Sequence, residues 1–492
     1  MLNKILYLLA FALFNIINAQ AQQTLVLSNV LQSNMVVQQN KPFKVWGTAS
    51  PNSLVTVIAD WSQKVSTTAD LNGDFVALIN VPAVKIGDFK PHTIEVKSGQ
   101  DEVRLDGVLI GEVWICSGQS NMQFKLMEDK NSATELQAAN YPNIRLFYAD
   151  LNFSATPIQS IKGRWEACSP ETVKKFSAVG YYFGKSIYSN LNIPVGIIFS
   201  GIGASKVEAF LPQETLQNNP TLDSVYLQPY LNSPKSKEKV NSGFSFEKVT
   251  RPFLLYNALI NPLINLSIKG FCWYQGEGNR MERASYTLAT QMLIKSWREK
   301  FAQGELPFYY VQVAPFFYDK EDPTLADYAF FRESQEKVLE INNTGMVVSM
   351  DVGEAKDLHP KNKRPLGIRL AKIALNRTYG LDTTVYQGPQ YEYFEIRGKF
   401  TVIHFKQGTV LNGLSTNDSL APGFFTIAGA DQKFYNATAK IVGNTILLIS
   451  DKVKKPIAVR YAFTNYAVTN LQNRSGLPAV PFRTDRWPEP KL

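Results

Sequence analysis

The stretch VLIGEVWICSGQSNM, residues 108–122, decides the fold of this chain. Residues 108–116 are apolar apart from a glycine and Glu112, which is typical of a strand buried on both faces of a sheet. Gly118 then introduces a turn, and Ser120 follows where a helix would begin. Parallel sheets bind ligands beyond the carboxyl ends of their strands. The stretch therefore predicts an α/β sheet with Ser120 at its functional edge.

The sequence from 108 to about 384 continues this pattern. Strand-like runs alternate with helical patterns, which predicts a parallel sheet covered on both faces. The strand-like runs are VGIIFSG (195–201), KGFCWYQG (269–276), FYYVQVAP (308–315) and GMVVSMD (345–351). The helical patterns lie at 171–190, 253–263, 284–302, 326–341 and 361–379.

The regions on either side of this pattern are different. Residues 22–107 and 385–492 consist of short Val/Ile/Thr-rich runs separated by Pro, Asn and Gly turns. This rhythm predicts an N-terminal and a C-terminal domain that resemble β-sandwiches. The polar stretch 212–248 interrupts the α/β pattern and is interpreted as an insertion into residues 108–384, the predicted catalytic domain.

The first 21 residues predict export. A positive N-terminus with Lys4 precedes an apolar run, and Ala19-Gln20-Ala21 offers the small residues of a cleavage site. No later run reaches the roughly 18 apolar residues that a membrane span needs. We therefore expect a signal peptide at 1–21, no membrane insertion, and a protein that is periplasmic or extracellular.

Charge and cysteine content exclude several classes of function. The net charge is +9, but the basic residues are scattered, whereas a nucleic-acid-binding protein concentrates them on one face. Three cysteines are too few for a disulfide scaffold, and no Cys or His spacing resembles a metal site. We expect no nucleic acid partner, no metal and no cofactor, and the sequence leaves the oligomeric state open.

Four loops with polar or reactive residues follow predicted strands. They are Ser117–Met122, Gly201–Ser205, Gln275–Asn279 and the segment from Asp351 to Pro360. The carboxyl ends of parallel strands share one edge of a sheet, so these loops should converge there. One such loop would be weak support for a site, and four are strong support.

These loops hold the groups that ester hydrolysis requires. Of the three histidines, only His359 lies at the predicted edge, which makes it the candidate base for Ser120. The backbone N–H groups of Ser120 and Gly203 and the amide of Asn279 are candidate oxyanion donors. The alternative, purely structural interpretations are a turn for Gly203 and a helix cap for Asn279. Glu277 is interpreted as a buried, hydrogen-bonded structural residue beside the site.

These motifs resemble the sialate O-acetylesterase family within the SGNH/GDSL hydrolase superfamily. The resemblance is carried by GQSNM (118–122), WYQGE-x-N (273–279), HP-x-x-K (359–363), LYNALINPL (255–263), Trp297-Arg298 and the closing NRSGLPAVPFRTDRW. It implies a three-layer α/β/α domain flanked by β-domains. It also implies catalytic Ser120 and His359, with oxyanion donors from Ser120, Gly203 and Asn279.

The residue that orients His359 is left open by the sequence. The superfamily's usual Asp lies three residues before the His, a position that Lys356 occupies here. Asp357 is the first candidate, Asp351 is the rival, and a backbone carbonyl is the third possibility. Further residues expected near the site are Gln119, Asn121, Gln275 and Glu277.

The resemblance implies removal of O-acetyl groups from a carbohydrate through an acetyl-serine, with sialic acid as the leading substrate. One alternative is a deacetylase of xylan or of another polysaccharide. A second alternative is a carbohydrate-binding protein with an inactive site. The joint presence of Ser120, Gly203, Asn279 and His359 argues against the second alternative.

Overall fold

A computed structural model of the chain describes residues 25–318 and 320–489. Within this part, the chain has a mixed α/β fold with an eleven-stranded sheet and additional smaller sheets. The predicted signal peptide at 1–21 lies outside the described residues. Among the helices of the described part, none has the length and apolar character needed to span a membrane.

Seven strands precede β8 (Asp101–Gly118) in the chain, and four of them (β2, β4, β5 and β7) belong to the eleven-stranded sheet. Strands β1, β3 and β6 form an antiparallel sheet, and β4 pairs with β5 and β7. Strand β6 alternates exposed and buried residues, as expected when one face of a sheet covers a core. The seven strands are β1 (Val26–Leu27), β2 (Val36–Gln38), β3 (Pro42–Thr48), β4 (Leu54–Ala59), β5 (Val65–Thr68), β6 (Asp74–Asn80) and β7 (His92–Ser98).

Strand β8 (Asp101–Gly118) contains the stretch that decides the fold. Its first half pairs antiparallel with β7, and its second half runs parallel to two strands of the central sheet. We call the part of the eleven-stranded sheet that β8 forms with six later strands the central sheet. These six strands are β9 (Tyr141–Ala149), β10 (Gly163–Cys168), β11 (Val195–Phe199), β12 (Gly270–Tyr274), β13 (Phe308–Val311) and β14 (Thr344–Val347). Their order is β10-β9-β11-β8-β12-β13-β14, and only β10 in this series is antiparallel to its neighbour.

Four of the five predicted helical segments contain α-helices, and the segment 171–190 contains two of them. The sequence did not predict the α-helix at Ser132–Ala138 or the short α-helices within the polar stretch 212–248. The segment 253–263 contains a π-helical turn, Tyr256–Ile260, and a 3-10 turn, Asn261–Leu263, because Pro262 has no N–H to continue a regular α-helix. The α-helices are α1 (Ser120–Gln123), α2 (Ser132–Ala138), α3 (Pro170–Val173), α4 (Ala178–Leu191), α5 (Gln213–Gln217), α6 (Pro220–Leu222), α7 (Gln228–Leu231), α8 (Ala284–Phe301), α9 (Asp327–Glu336) and α10 (Arg364–Arg377).

The last hundred residues add antiparallel sheets. Their strand orders are β15-β16-β21-β20, β17-β23 and β19-β18-β22-β24. These strands are β15 (Tyr391–Arg397), β16 (Phe400–Phe405), β17 (Leu414–Thr416), β18 (Phe425–Ala428), β19 (Phe434–Asn436), β20 (Thr438–Val442), β21 (Thr445–Ile449), β22 (Ala458–Tyr461), β23 (Leu471–Asn473) and β24 (Phe482–Arg483).

Apolar residues of the central strands alternate between two cores. Trp114 packs in the cluster that includes residues of α4 and α10. Its neighbour Ile115 packs in the cluster that includes residues of α8 and of the N-terminal strands. Successive side chains of a strand point to opposite faces, so the apolar run of β8 fills both cores.

Helices α4 and α10 cross at a glycine. A Cβ atom on Gly367 would lie 2.5 Å from Tyr182 Cβ and 2.7 Å from the carbonyl oxygen of Val179. Real Cβ atoms do not approach other atoms so closely, so the absence of a side chain lets the two helices touch. The contact fixes the start of α10, which follows His359 in the chain.

We expect Gly367→Ala to lower the free energy of unfolding by about 1–3 kcal/mol, because the added methyl forces the two helices apart. Denaturant unfolding of the purified variant measures the change. Gly408→Ala is the matched control, because a Cβ at Gly408 would meet no atom within 4 Å. Equal unfolding midpoints for the two variants would contradict the close packing of α4 on α10.

Candidate active site

Ser120 is two residues beyond the end of β8, at the first position of α1. The strand ends at Gly118, which has a φ of +136°, and a Cβ there would lie 2.2 Å from the carbonyl oxygen of Tyr274 on β12. Only glycine tolerates both the backbone angle and the close neighbour. The first N–H groups of a helix have no partner within the helix, so the N–H of Ser120 begins α1 without one.

His359 reaches Ser120 from the loop between β14 and α10. Its Nε2 atom lies 2.8 Å from Ser120 Oγ. Burial lowers the pKa of His359 below its ordinary value of 6.5, and the positive charge of Lys363 lowers it further, while Asp357 acts in the opposite direction. A neutral imidazole at hydrogen-bond distance from a hydroxyl is the arrangement of a general base and its nucleophile.

The two candidate acids have different surroundings. Asp357 Oδ1 accepts a hydrogen bond of 2.8 Å from the backbone N–H of His359 and lies 3.6 Å from its ring Nδ1. Both carboxylate oxygens of Asp351 accept hydrogen bonds from the guanidinium of Arg369, at 2.7 and 2.6 Å. The structure therefore brings Asp357 to the imidazole and holds Asp351 in an ion pair beside α10.

Gly203 lies next to Ser120 on the other side of the site. A Cβ at Gly203 would be 3.3 Å from Ser120 Cβ. The backbone N–H of Gly203 donates a hydrogen bond of 2.8 Å to Oε1 of Gln123, the last residue of α1. The side-chain amide of Gln123 in turn donates to the hydroxyl of Tyr148 at 2.9 Å. The Gly203 donor is close to the nucleophile, and a side-chain carbonyl occupies it.

The Asn279 side chain is buried and turned toward carboxylates. Its Nδ2 atom donates to Glu208 Oε2 at 3.0 Å and to the two carboxylate oxygens of Glu282 at 3.1 and 3.2 Å. Its Oδ1 atom accepts from the backbone N–H of Val207 at 3.1 Å. In this arrangement the amide of Asn279 joins two loops, and its donors are directed at the acid pair.

Two glutamines connect the loops that surround Ser120. Gln119 Oε1 accepts hydrogen bonds from the backbone N–H groups of Gly276 and Gly278, at 3.1 and 3.3 Å. Gln275 Nε2 donates to the carbonyl of Ser205 at 3.3 Å and to Asn279 Oδ1 at 2.7 Å. The three loops that follow β8, β11 and β12 are therefore held by direct hydrogen bonds.

Asn121, the residue after Ser120, contacts Glu277. Asn121 Nδ2 donates to Glu277 Oε1 at 2.6 Å, and Lys363 Nζ donates to Asn121 Oδ1 at 2.5 Å. All three side chains are buried. Burial raises the pKa of Glu277, and the structure gives this residue the buried, hydrogen-bonded surroundings expected from the sequence.

The sequence analysis did not predict that Glu208 and Glu282 lie beside Asn279. Burial and the nearby Glu282 raise the pKa of Glu208 to about 7. The sequence does contain a signal, because a single acidic residue in the run Val207–Leu211 is otherwise surrounded by apolar residues. Charged residues are rarely buried without partners, so such a pattern indicates a buried, hydrogen-bonded carboxylate. Among the described residues, no group of three or more His, Cys, Asp or Glu could hold a metal ion.

The chain is similar to known carbohydrate esterases. Residues 239–376 match the family model described as "Carbohydrate esterase, sialic acid-specific acetylesterase". The chain is 25% identical to the sialate O-acetylesterase of Mus musculus over 91% of this chain and 92% of the mouse protein. It is 26% identical to the sialate O-acetylesterase of Homo sapiens, over 92% of this chain and 91% of the human protein.

A solved structure is similar over almost the whole chain. It is the crystal structure of a carbohydrate acetylesterase from Xanthomonas citri, with 33% sequence identity and a TM-score of 0.82. The match covers 94% of this chain and 100% of the Xanthomonas chain. The similarity therefore includes the sheets on both sides of the central sheet.

We expect His359 to lose its proton below pH 6.5, because burial and the charge of Lys363 both disfavour the imidazolium. The chain has three histidines, so their ring signals can be resolved by NMR during a pH titration. Loss of one signal in His359→Ala identifies the residue. A midpoint above 6.5 for that signal would contradict the buried environment of the ring.

Proposed function

Because the chain belongs to the family of carbohydrate esterases that includes the sialate O-acetylesterases, we propose that it acts through Ser120 as nucleophile and His359 as base. The reaction removes O-acetyl groups from carbohydrate, which makes the protein a carboxylic ester hydrolase. The observation that carries the residue assignment is the 2.8 Å separation of His359 Nε2 and Ser120 Oγ at the edge of the central sheet.

The reaction proceeds in two steps that both use this pair. Ser120 Oγ attacks the acetyl carbon while His359 Nε2 takes the hydroxyl proton. The bond between the acetyl carbon and the sugar oxygen then breaks, and the same proton passes from Nε2 to that oxygen. Water attacks the acetyl-serine by the same route, gives its proton to Nε2, and releases acetate as Ser120 regains a proton.

The oxyanion of each tetrahedral intermediate binds to backbone N–H groups in our proposal. Ser120 is the first residue of α1, and Gly203 lies next to it. The acyl oxygen replaces Gln123 Oε1 as the acceptor of Gly203, exchanging one carbonyl oxygen for another. The contacts of Asn279 with Glu208 and Glu282 support a role in joining the loops. A donor role for Asn279, which the sequence predicts, would require its amide to leave these carboxylates.

Asp357 is proposed to stabilise the imidazolium of His359. Its carboxylate is 3.6 Å from Nδ1, so a small movement of the ring closes a charge-assisted hydrogen bond when His359 becomes protonated. Asp351 is unsuited to this role because Arg369 engages both of its carboxylate oxygens. The negative charge is therefore supplied from within the histidine loop.

The proposed substrate is an O-acetylated sialic acid, as named for the mouse and human relatives. The alternative is an acetylated xylan or another polysaccharide, because the Xanthomonas relative is described only as a carbohydrate acetylesterase. An inactive carbohydrate-binding protein is disfavoured, because it would have no need of a serine and a histidine at hydrogen-bond distance.

The finer organisation of the chain also belongs to this proposal. We assign residues 108–384 to a three-layer α/β/α catalytic domain, supported by apolar clusters on both faces of the central sheet. Residues 22–107 and 385–492 form flanking β-domains, and residues 1–21 direct export to the periplasm or the medium. Strand β8 crosses the first boundary without a break.

We expect Ser120→Ala to reduce kcat by several orders of magnitude without unfolding, because no other group replaces the nucleophile. Acetate release is measured on O-acetylated sialic acid and on acetylated xylan, with circular dichroism as the control for folding. Substantial activity in the folded variant would refute the nucleophile. Wild-type turnover of acetylated xylan alone would refute the proposed substrate and leave the mechanism in place.

We expect Asp357→Asn to lower kcat by about 10³-fold or more, because an amide does not stabilise the imidazolium as a carboxylate does. Asp351→Asn is the comparison, and we expect it to lower stability through its ion pair with Arg369. Denaturant unfolding and kcat are measured for both variants. Near-normal kcat for Asp357→Asn would remove Asp357 from the mechanism.

A further inference from the structure

A buried lysine, Lys363, lies in the segment that links His359 to α10. Lys363 is 0% exposed, and its backbone N–H donates a hydrogen bond of 2.8 Å to Asp129 Oδ2. Its ammonium lies 4.5 Å from the ring centre of Phe124 and 5.8 Å from that of Tyr274. A lysine is rarely buried so completely, because removing its charge from water is costly. Its ammonium therefore needs hydrogen-bond partners inside the protein.

Asn121 connects this lysine to the histidine loop and to the nucleophile. Its Oδ1 atom accepts from Lys363 Nζ at 2.5 Å, and its Nδ2 atom donates to the carbonyl of Leu358 at 3.1 Å. Leu358 directly precedes His359, and Lys363 follows His359 by four residues. The side chain of Asn121 is thus hydrogen-bonded to residues on both sides of His359. Asn121 directly follows Ser120 in the chain, so these hydrogen bonds connect the histidine loop to the residue next to the nucleophile.

Glu277 fixes the orientation of the amide. Its Oε1 atom accepts from Asn121 Nδ2 at 2.6 Å, which directs the amide nitrogen away from the lysine and leaves Oδ1 for Lys363. The amide therefore bridges a buried cation and a buried carboxylate. Both charged groups keep a hydrogen-bond partner, as buried charges require.

Several charged groups face the lysine and the histidine. Glu277, Asp129, Asp357 and Glu354 favour the ammonium form of Lys363, whereas burial lowers the pKa of its ammonium to about 7. Lys363, Asp357 and Glu128 act on His359. The lysine thus combines a mechanical link with an electrostatic effect on the base.

We propose that Lys363 is a positioning residue that acts through Asn121 to hold His359 against Ser120. The inference rests on the proposed function, in which His359 is the base, and assigns roles to side chains that do not touch the reacting atoms. Loss of the link leaves substrate binding intact and displaces the imidazole from Oγ. A displacement of about 1 Å in a catalytic group can cost about 10²-fold in rate.

The test is Lys363→Met, which keeps the apolar length of the side chain and removes the ammonium. We expect kcat to fall by about 10²-fold with little change in KM. We also expect the rising limb of the pH–kcat profile to move to higher pH, because a positive charge near the imidazole is lost. Lys361→Met removes an exposed charge from the same loop and is the matched control, with kcat and pH profile unchanged.

A double-mutant cycle separates a link from two independent contacts. If Lys363 acts through Asn121, the kcat loss of the combined Lys363→Met and Asn121→Ala variant does not exceed the larger single loss. Additive losses would overturn the proposal, as would wild-type kcat and pH profile in folded Lys363→Met. If Lys363→Met does not fold, Asn121→Ala carries the test, since it breaks the link and keeps both charges, and wild-type kcat would then overturn the proposal.

The variant Ser120→Ala separates failure of the proposed catalytic function from failure of the proposed role of Lys363. Activity in Ser120→Ala refutes the proposed nucleophile whatever the lysine variant does. Loss of activity in Ser120→Ala together with full activity in Lys363→Met refutes only the positioning role.

Discussion

Strand β8 joins two parts of the eleven-stranded sheet, and this constrains the position of the residues that follow it. Its residues from Asp101 to Val108 pair antiparallel with β7, and those from Glu112 onward pair in parallel with β11 and then β12. The strand ends at Gly118, which pairs with Tyr274, the last residue of β12. Ser120 lies two residues beyond that point.

The middle of β8 also ties the N-terminal strands to the central sheet. Glu112 is buried, and its carboxylate accepts hydrogen bonds from the side chains of Gln38 and Gln39 and from the hydroxyl of Tyr379. The two glutamines belong to the N-terminal region and the tyrosine follows α10. A buried carboxylate is tolerated only with such partners, so the polar group specifies how these segments meet.

Local patterns explain which features could be predicted from the sequence. The apolar run of β8, the turn at Gly118 and the position of His359 are visible within short stretches, and the described structure brings Ser120 and His359 together. The partners of Gly203 and Asn279 could not be predicted in this way. Their donors are directed at Gln123, Glu208 and Glu282, and such contacts depend on how separate loops fold over one another.

The choice between Asp357 and Asp351 illustrates the same limit. Both aspartates lie in the segment after β14, and their spacing from His359 allows either to be considered. Arg369 in α10, eighteen residues after Asp351, separates the two candidates because it donates hydrogen bonds to both carboxylate oxygens of Asp351. Sequence spacing reports which groups are near in the chain, whereas the competition for a carboxylate is decided by packing.

The charged groups around His359 suit acyl transfer. On the histidine side, burial and Lys363 favour the neutral imidazole that accepts the proton from Ser120. Asp357 opposes this effect, and its influence grows once the imidazolium forms, since a charge pair is stronger than a charge next to a neutral ring. The resting base is therefore unprotonated, and its protonated form is stabilised when the negative charge on the acyl oxygen develops.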